Sequence, residues 1–170
     1  MIAEGPDIMP TETSFVGSYE RTVDQQGRIK IPQEVRDSLP ADADDTFVVT
    51  RWLDGCLAAY PHDQWQAFSE SLRQRREISR NLIRLITAFA VISRIDPQGR
   101  ISIPPKLLEA ADIDGAVLLV GTLDKVELWN PNRFEEAVDQ AKDDFDDVIG
   151  DLSLIDDVDG DMLEPANGSG

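Results

Sequence analysis

The chain has one cysteine, Cys56, and one histidine, His62. A single thiol excludes an internal disulfide, and the two residues together are too few for a four-ligand structural zinc site. No apolar stretch approaches the roughly 20 residues that a bilayer-spanning helix needs. The opening residues MIAEGPDIMPTETS are acidic and hold no apolar signal core, so a cytoplasmic setting without membrane contact is expected. Catalytic signatures are missing as well. One histidine leaves no Ser/His/Asp or Cys/His set, and there is neither a nucleotide-binding glycine loop nor an HExxH. The expectation is no enzyme, no catalytic residue, no metal and no cofactor.

Positive charge is absent from the C-terminal stretch, where Asp143 to Gly170 carries ten acidic residues and no Lys or Arg. That tail accounts for most of the formal net charge of −17 and leaves the first 142 residues at −7. Within those residues Arg73, Arg75, Arg76, Arg80, Arg84, Arg94 and Arg100 cluster against only Glu77 and Asp96. An acidic total therefore does not exclude an anionic partner.

What is present is a repeat. DQQGRIKIP at Asp24 to Pro32 returns 72 residues later as DPQGRISIP at Asp96 to Pro104, identical at seven of nine positions. In each copy Gly27 or Gly99 permits a positive φ, Asp24 or Asp96 can bond the turn backbone, and Arg28 or Arg100 stands at the tip. The repetition extends beyond the turns, since YPHDQW at Tyr60 to Trp65 parallels WNPNRF at Trp129 to Phe134 at an offset of 69.

The pattern predicts a disordered arm over residues 1–14 and a first unit with its following helix over 15–75. A linking helix over 76–91 and a second unit with its helix over 92–143 come next. An acidic, mostly disordered tail is expected over 144–170. Within each unit a strand, the DxxGR turn, a second strand, a short helix opened by proline and a closing hairpin are expected. The helix after the first unit is expected from His62 to Arg75, the linking helix from Glu77 to Phe89, and the last from Pro131.

These residues resemble the MraZ family, bacterial transcriptional regulators made of two AbrB-like swapped-hairpin units. The resemblance rests on Phe15 and Gly17, on Asp24, Gly27, Arg28 and Pro32, and on DGCLAAYP at Asp54 to Pro61 with Trp65. It continues through Asp96, Gly99, Arg100 and Pro104, VGTLDKVELW at Val120 to Trp129, and GDLS at Gly150 to Ser153. The resemblance implies an α+β fold: two pseudo-twofold-related units forming an intrachain double-hairpin β-barrel with flanking and linking helices. It also implies a ring-like homo-oligomer that binds direct repeats in promoter double-stranded DNA and represses its own division and cell-wall operon in the nucleoid. The turn position before glycine, often basic in the family, is Gln26 and Gln98 here.

Arg28 and Arg100 are the candidate DNA contacts, because a guanidinium can make paired hydrogen bonds to a phosphate or to guanine. Lys30, Gln26 and Gln98 join them, with Asp24, Gly27, Asp96 and Gly99 shaping the turns. The plainer alternative is that Arg28 merely tightens its turn by pairing with Asp24. Arg73, Arg76, Arg80 and Arg84 share one face if their helix is continuous, as a solvated surface, a phosphate contact or a subunit bridge. The tail is either a solubilising segment or a competitor for the basic turns. A ring-forming scaffold without DNA binding is the alternative function, and an AbrB-type antitoxin or other transition-state regulator is a third option, although those normally carry one hairpin unit.

Overall fold

The computed structural model describes residues 14–161, with side chains to Leu152. The expected arm, apart from Ser14, and the tail beyond Asp161 lie outside the described residues. The first unit contains β1 (Ser18–Thr22), β2 (Arg28–Lys30), α1 (Gln33–Asp37), β3 (Thr46–Arg51) and β4 (Leu57–Pro61). After α2 (His62–Gln74) and α3 (Arg80–Ala88), the second unit repeats the order as β5 (Val91–Arg94), β6 (Arg100–Ser102), α4 (Pro105–Ala110), β7 (Ala116–Gly121) and β8 (Val126–Trp129).

All pairing is antiparallel. A six-stranded sheet runs β1-β7-β8-β4-β3-β5, and β2 and β6 form a separate ribbon. Exchanging the units leaves this order unchanged, and Ile29 lies opposite Ile101 where the two halves meet. The first strand of each unit adds to the other unit's hairpin: β1 pairs with β7, and β5 with β3. The units are therefore swapped within one chain. The hydrogen-bonded sheet is open, with β1 and β5 at its edges, so the pairing itself does not amount to the closed barrel that was expected.

Period-two alternation explains the core. Phe47 and Val49 on β3, Leu57 and Ala59 on β4, Val117 and Leu119 on β7, and Val126 and Leu128 on β8 are buried together. Ile29, Ile31, Ile101 and Ile103 cover them from the ribbon, and Val35 and Leu107 from the short helices. Burying each of these Val, Leu, Ile and Phe side chains stabilises the body by about 1.5–3 kcal/mol before the entropy of ordering is counted. Pro32 and Pro104 stand at the N-caps of α1 and α4, one residue earlier than the helical position expected for Pro32.

Two local details stand out, the turn of the first hairpin and the start of the linking helix, which begins at Arg80 and not at the expected Glu77. After β3 the chain leaves through Trp52 into a 3-10 turn, Leu53–Gly55, in which Asp54 takes φ 59. More consequentially, Arg75 is extended (φ −92, ψ 106) and Ser79 caps a new helix through Leu82 N–H to Oγ, 3.2 Å. Arg73 and Arg76 thus do not continue onto the face that carries Arg80 and Arg84. The new start has a local cause, because Ser79 Oγ accepts from Leu82 N–H, one of the orphan donors in the first turn of α3.

The chain from Phe134 onward is a second compact unit. It belongs to α5 (Pro131–Asp161), whose start is fixed by Asn130 Oδ1 accepting from Asn132 N–H (2.9 Å) and Arg133 N–H (3.3 Å). The helix crosses the boundary expected at residue 144, so the nearer part of the acidic tail is helical in place of disordered. Phe145, Val148, Ile149 and Leu152 keep helical spacing along it and are exposed.

Candidate nucleic-acid interface

Each DxxGR turn is built by its aspartate. Asp24 Oδ1 accepts from the backbone N–H of Gln26 and of Arg28, both at 2.9 Å, and Asp24 Oδ2 accepts from Arg28 Nε at 2.7 Å. Asp96 repeats the set with Gln98 and Arg100 N–H at 2.9 Å and Arg100 Nε at 3.0 Å. Gly27 and Gly99 sit at φ +77 and +81, where an L side chain is strained. Their carbonyls accept from Ile103 N–H and Ile31 N–H, both at 2.8 Å, so each turn is tied to the other unit's strand.

The pairing with aspartate that sequence reading set against DNA contact is thus real at both turns, but it uses only one edge of each guanidinium. Among the described residues the η-nitrogens of Arg28 make no hydrogen bond, and Arg100 Nη2 reaches only Gln98 Oε1 at 3.4 Å. The carboxylate therefore aims the fork and leaves its outer nitrogens available. Register then gathers the cations. Arg28 lies opposite Ser102, and Lys30 opposite Arg100. Ile29 and Ile101 face the core, so Arg28, Lys30, Arg100 and Ser102 occupy the outer face of one two-stranded ribbon. Gln26 and Gln98 stand exposed at the turn tips, their backbone N–H groups engaged and their side chains outward.

The Arg28 backbone N–H, chiefly, holds the Asp24 carboxyl below its ordinary 3.8, aided by the Arg28 side chain and Gln26 N–H and opposed by desolvation. Arg100 and Gln98 do the same for Asp96. A carboxyl with a depressed folded pKa contributes stability that is present above 3.8 and lost as pH falls through the folded value. The thermal midpoint of the unsubstituted chain should consequently fall more steeply below pH 3.8 than that of Asp24→Asn/Asp96→Asn. Parallel curves by circular dichroism would contradict this.

Arg36 was missed by the sequence reading. A Cβ at Gly99 would stand 2.9 Å from Arg36 Nη1, so this guanidinium lies directly over the second turn. Extending the offset of 72 past the nonapeptide aligns Arg36 with Leu108, and that mismatch was the available signal. Of the other residues singled out, Cys56 is buried, and burial pushes its thiol pKa up, as expected for a small hydrophobe. Trp52, Tyr60, Trp65 and Phe68 form one aromatic cluster with Lys125 Nζ 5.3 Å from the Trp52 ring. His62 opens α2.

Known proteins match both units in sequence. The family described as "MraZ protein, putative antitoxin-like" matches twice, over residues 14–89 and 86–149. A relative from Pediococcus pentosaceus named "Transcriptional regulator MraZ" is 40% identical over 141 residues, covering 81% of this chain and 96% of that protein. Proteins of the same name from Lachnoclostridium phytofermentans and Ligilactobacillus salivarius are 38% and 34% identical, covering 82% and 79% of this chain and 95% and 93% of their own lengths. With both units matched and the swapped pairing between them, the chain belongs to the MraZ family.

Proposed function

We propose that this protein is a sequence-specific DNA-binding transcriptional regulator, and not an enzyme. Its DNA contact is the outer face of the β2–β6 ribbon. The observation that carries the reading is the placement of Arg28, Lys30 and Arg100 on that face, with each arginine oriented by its own aspartate. A two-stranded ribbon fits the major groove, and a pre-aimed guanidinium loses little freedom on contact. The names of the relatives support the same reading. Gln26 and Gln98 reach bases or phosphates from the turn tips.

The finer reading is an autorepressor of a division and cell-wall operon, acting in the nucleoid on direct repeats through a homo-oligomeric ring. In each protomer the ribbon closes the sheet into a barrel, helped by Asp24 N–H to Arg28 C=O (3.0 Å) and Asp96 N–H to Arg100 C=O (2.8 Å). Self-association is supported by α3, which is tied to β3 by Thr50 Oγ1 donating to Ile86 C=O (2.8 Å) while Leu82 and Leu85 stay exposed beside Leu53. Among the described residues no helix is long and apolar enough to cross a membrane.

The same apolar face and the net charge of −17 also favour a second reading, a ring-forming scaffold that has lost DNA binding. A mobility-shift titration with duplex from the gene's own upstream region separates the two. Specific retardation that competitor DNA does not remove supports the regulator. No retardation even at low salt supports the scaffold.

A further inference from the structure

The two turns are equivalent in backbone and unequal in charge. Beside the second turn stands Arg36, half-buried and, among the described residues, without a hydrogen bond or ion pair for its side chain. Lys30 lies opposite Arg100 at the same end of the ribbon. The recess there also takes in Arg94, which pairs with Asp44 at 3.2 Å, and the carboxylates of Asp45 and Asp96, so two cations stand beside its two acids. Beside the first turn the position of Arg36 is taken by Leu108, whose Cδ1 would lie 3.8 Å from a Cβ at Gly27. The recess at that turn is lined by Asp24, Glu109, Asp112 and Asp114, and by no Lys or Arg.

We propose that the protomer's two DNA contacts are functionally unequal. Arg36, with Lys30 and Arg100, makes the second turn the principal phosphate-binding end, while Glu109, Asp112 and Asp114 weaken the first. This deepens the DNA-binding reading and rests on it. An unpaired, half-buried guanidinium is poorly hydrated and already confined, so a duplex phosphate is a better partner for it than for a free surface cation. The carboxylates lining the recess at the first turn repel a phosphate that approaches that turn, over a range of about 8 Å at physiological salt.

The test is fluorescence anisotropy of the full chain on labelled upstream duplex across a salt series. Arg36→Leu, which copies the residue at the equivalent position, should weaken binding about tenfold, a loss of one charge-assisted contact. It should also reduce the slope of log K against log salt by about 0.9. Arg36→Lys should restore part of both. Glu109→Lys should strengthen binding, a sign that misfolding cannot produce. Arg28→Ala should cost less than Arg100→Ala. Unchanged affinity and slope in Arg36→Leu, or equal losses in the two alanine variants, overturns the inequality while leaving the regulator reading intact. Failure of the unsubstituted chain to bind any upstream duplex overturns both.

Discussion

Arg28→Ala/Arg100→Ala is expected to lose binding to the upstream duplex by at least about a hundredfold while its folded state survives. The two guanidinium contacts together contribute about a hundredfold, with Arg100 carrying the larger share. In an oligomer the deficit is repeated in every subunit, so avidity enlarges it. Both arginines lie on the ribbon's outer face, with side chains 31% and 27% exposed, and the core isoleucines point the other way. The far-ultraviolet spectrum and oligomer size of the double variant should therefore match those of the unsubstituted chain. The salt slope should fall by about 0.9 for each phosphate contact removed. Retained specific binding with an unchanged slope would show that these arginines only brace their turns.

Gly27→Ala and Gly99→Ala form the second prediction, and they should fail in different ways. Both positions need positive φ, which costs an L residue about 1–2 kcal/mol. At Gly27 the added Cβ would also meet the Ile103 carbonyl oxygen at 2.5 Å. That contact is with backbone, and the same segment donates Ile103 N–H to Gly27 C=O at 2.8 Å, so the ribbon itself must open. The total is about 3 kcal/mol, a drop of roughly 10 °C in the unfolding midpoint. At Gly99 the nearest atom is Nη1 of Arg36, 2.9 Å away at the end of a flexible side chain. Stability there should fall by only the backbone part, about 1–2 kcal/mol, while DNA binding falls further because Arg36 is displaced. Equal midpoints for the two variants, measured by thermal melts, would contradict this assignment.

Local structure was legible because it obeys local rules. The strands around each DxxGR turn, the proline-opened helices and the closing hairpins appear where alternation and turn residues place them. The doubling was visible in the nonapeptide, and the aspartate's role followed from its spacing to Gly and Arg. What alternation does not encode is the partner of each strand. Nothing within Ser18–Thr22 specifies β7 over β3, so the swapped pairing came from the resemblance to a family and not from the strand itself. Two separate helices were legible on either side of residue 76, but α3 starts at Arg80, three residues later than expected, because the cap is Ser79. The reach of α5 to Asp161 was hidden, since its acidic composition read as disorder although Phe145, Val148, Ile149 and Leu152 kept the helical period. Arg36 escaped because its importance lies in what it covers, and Gly99 is 63 positions away in the chain.

The exchange of Leu108 for Arg36 has a geometric consequence. An object with true twofold symmetry docks on a duplex equally well in either orientation, so it cannot distinguish a site from its reversed copy. The backbone of this protomer has that symmetry to a good approximation, with Ile29 facing Ile101 where the halves meet. The guanidinium over Gly99 and the carboxylates beside Gly27 remove it. On the proposed contact the molecule would acquire a direction along the double helix, and neighbouring copies sharing that direction would read head-to-tail sites in preference to inverted ones.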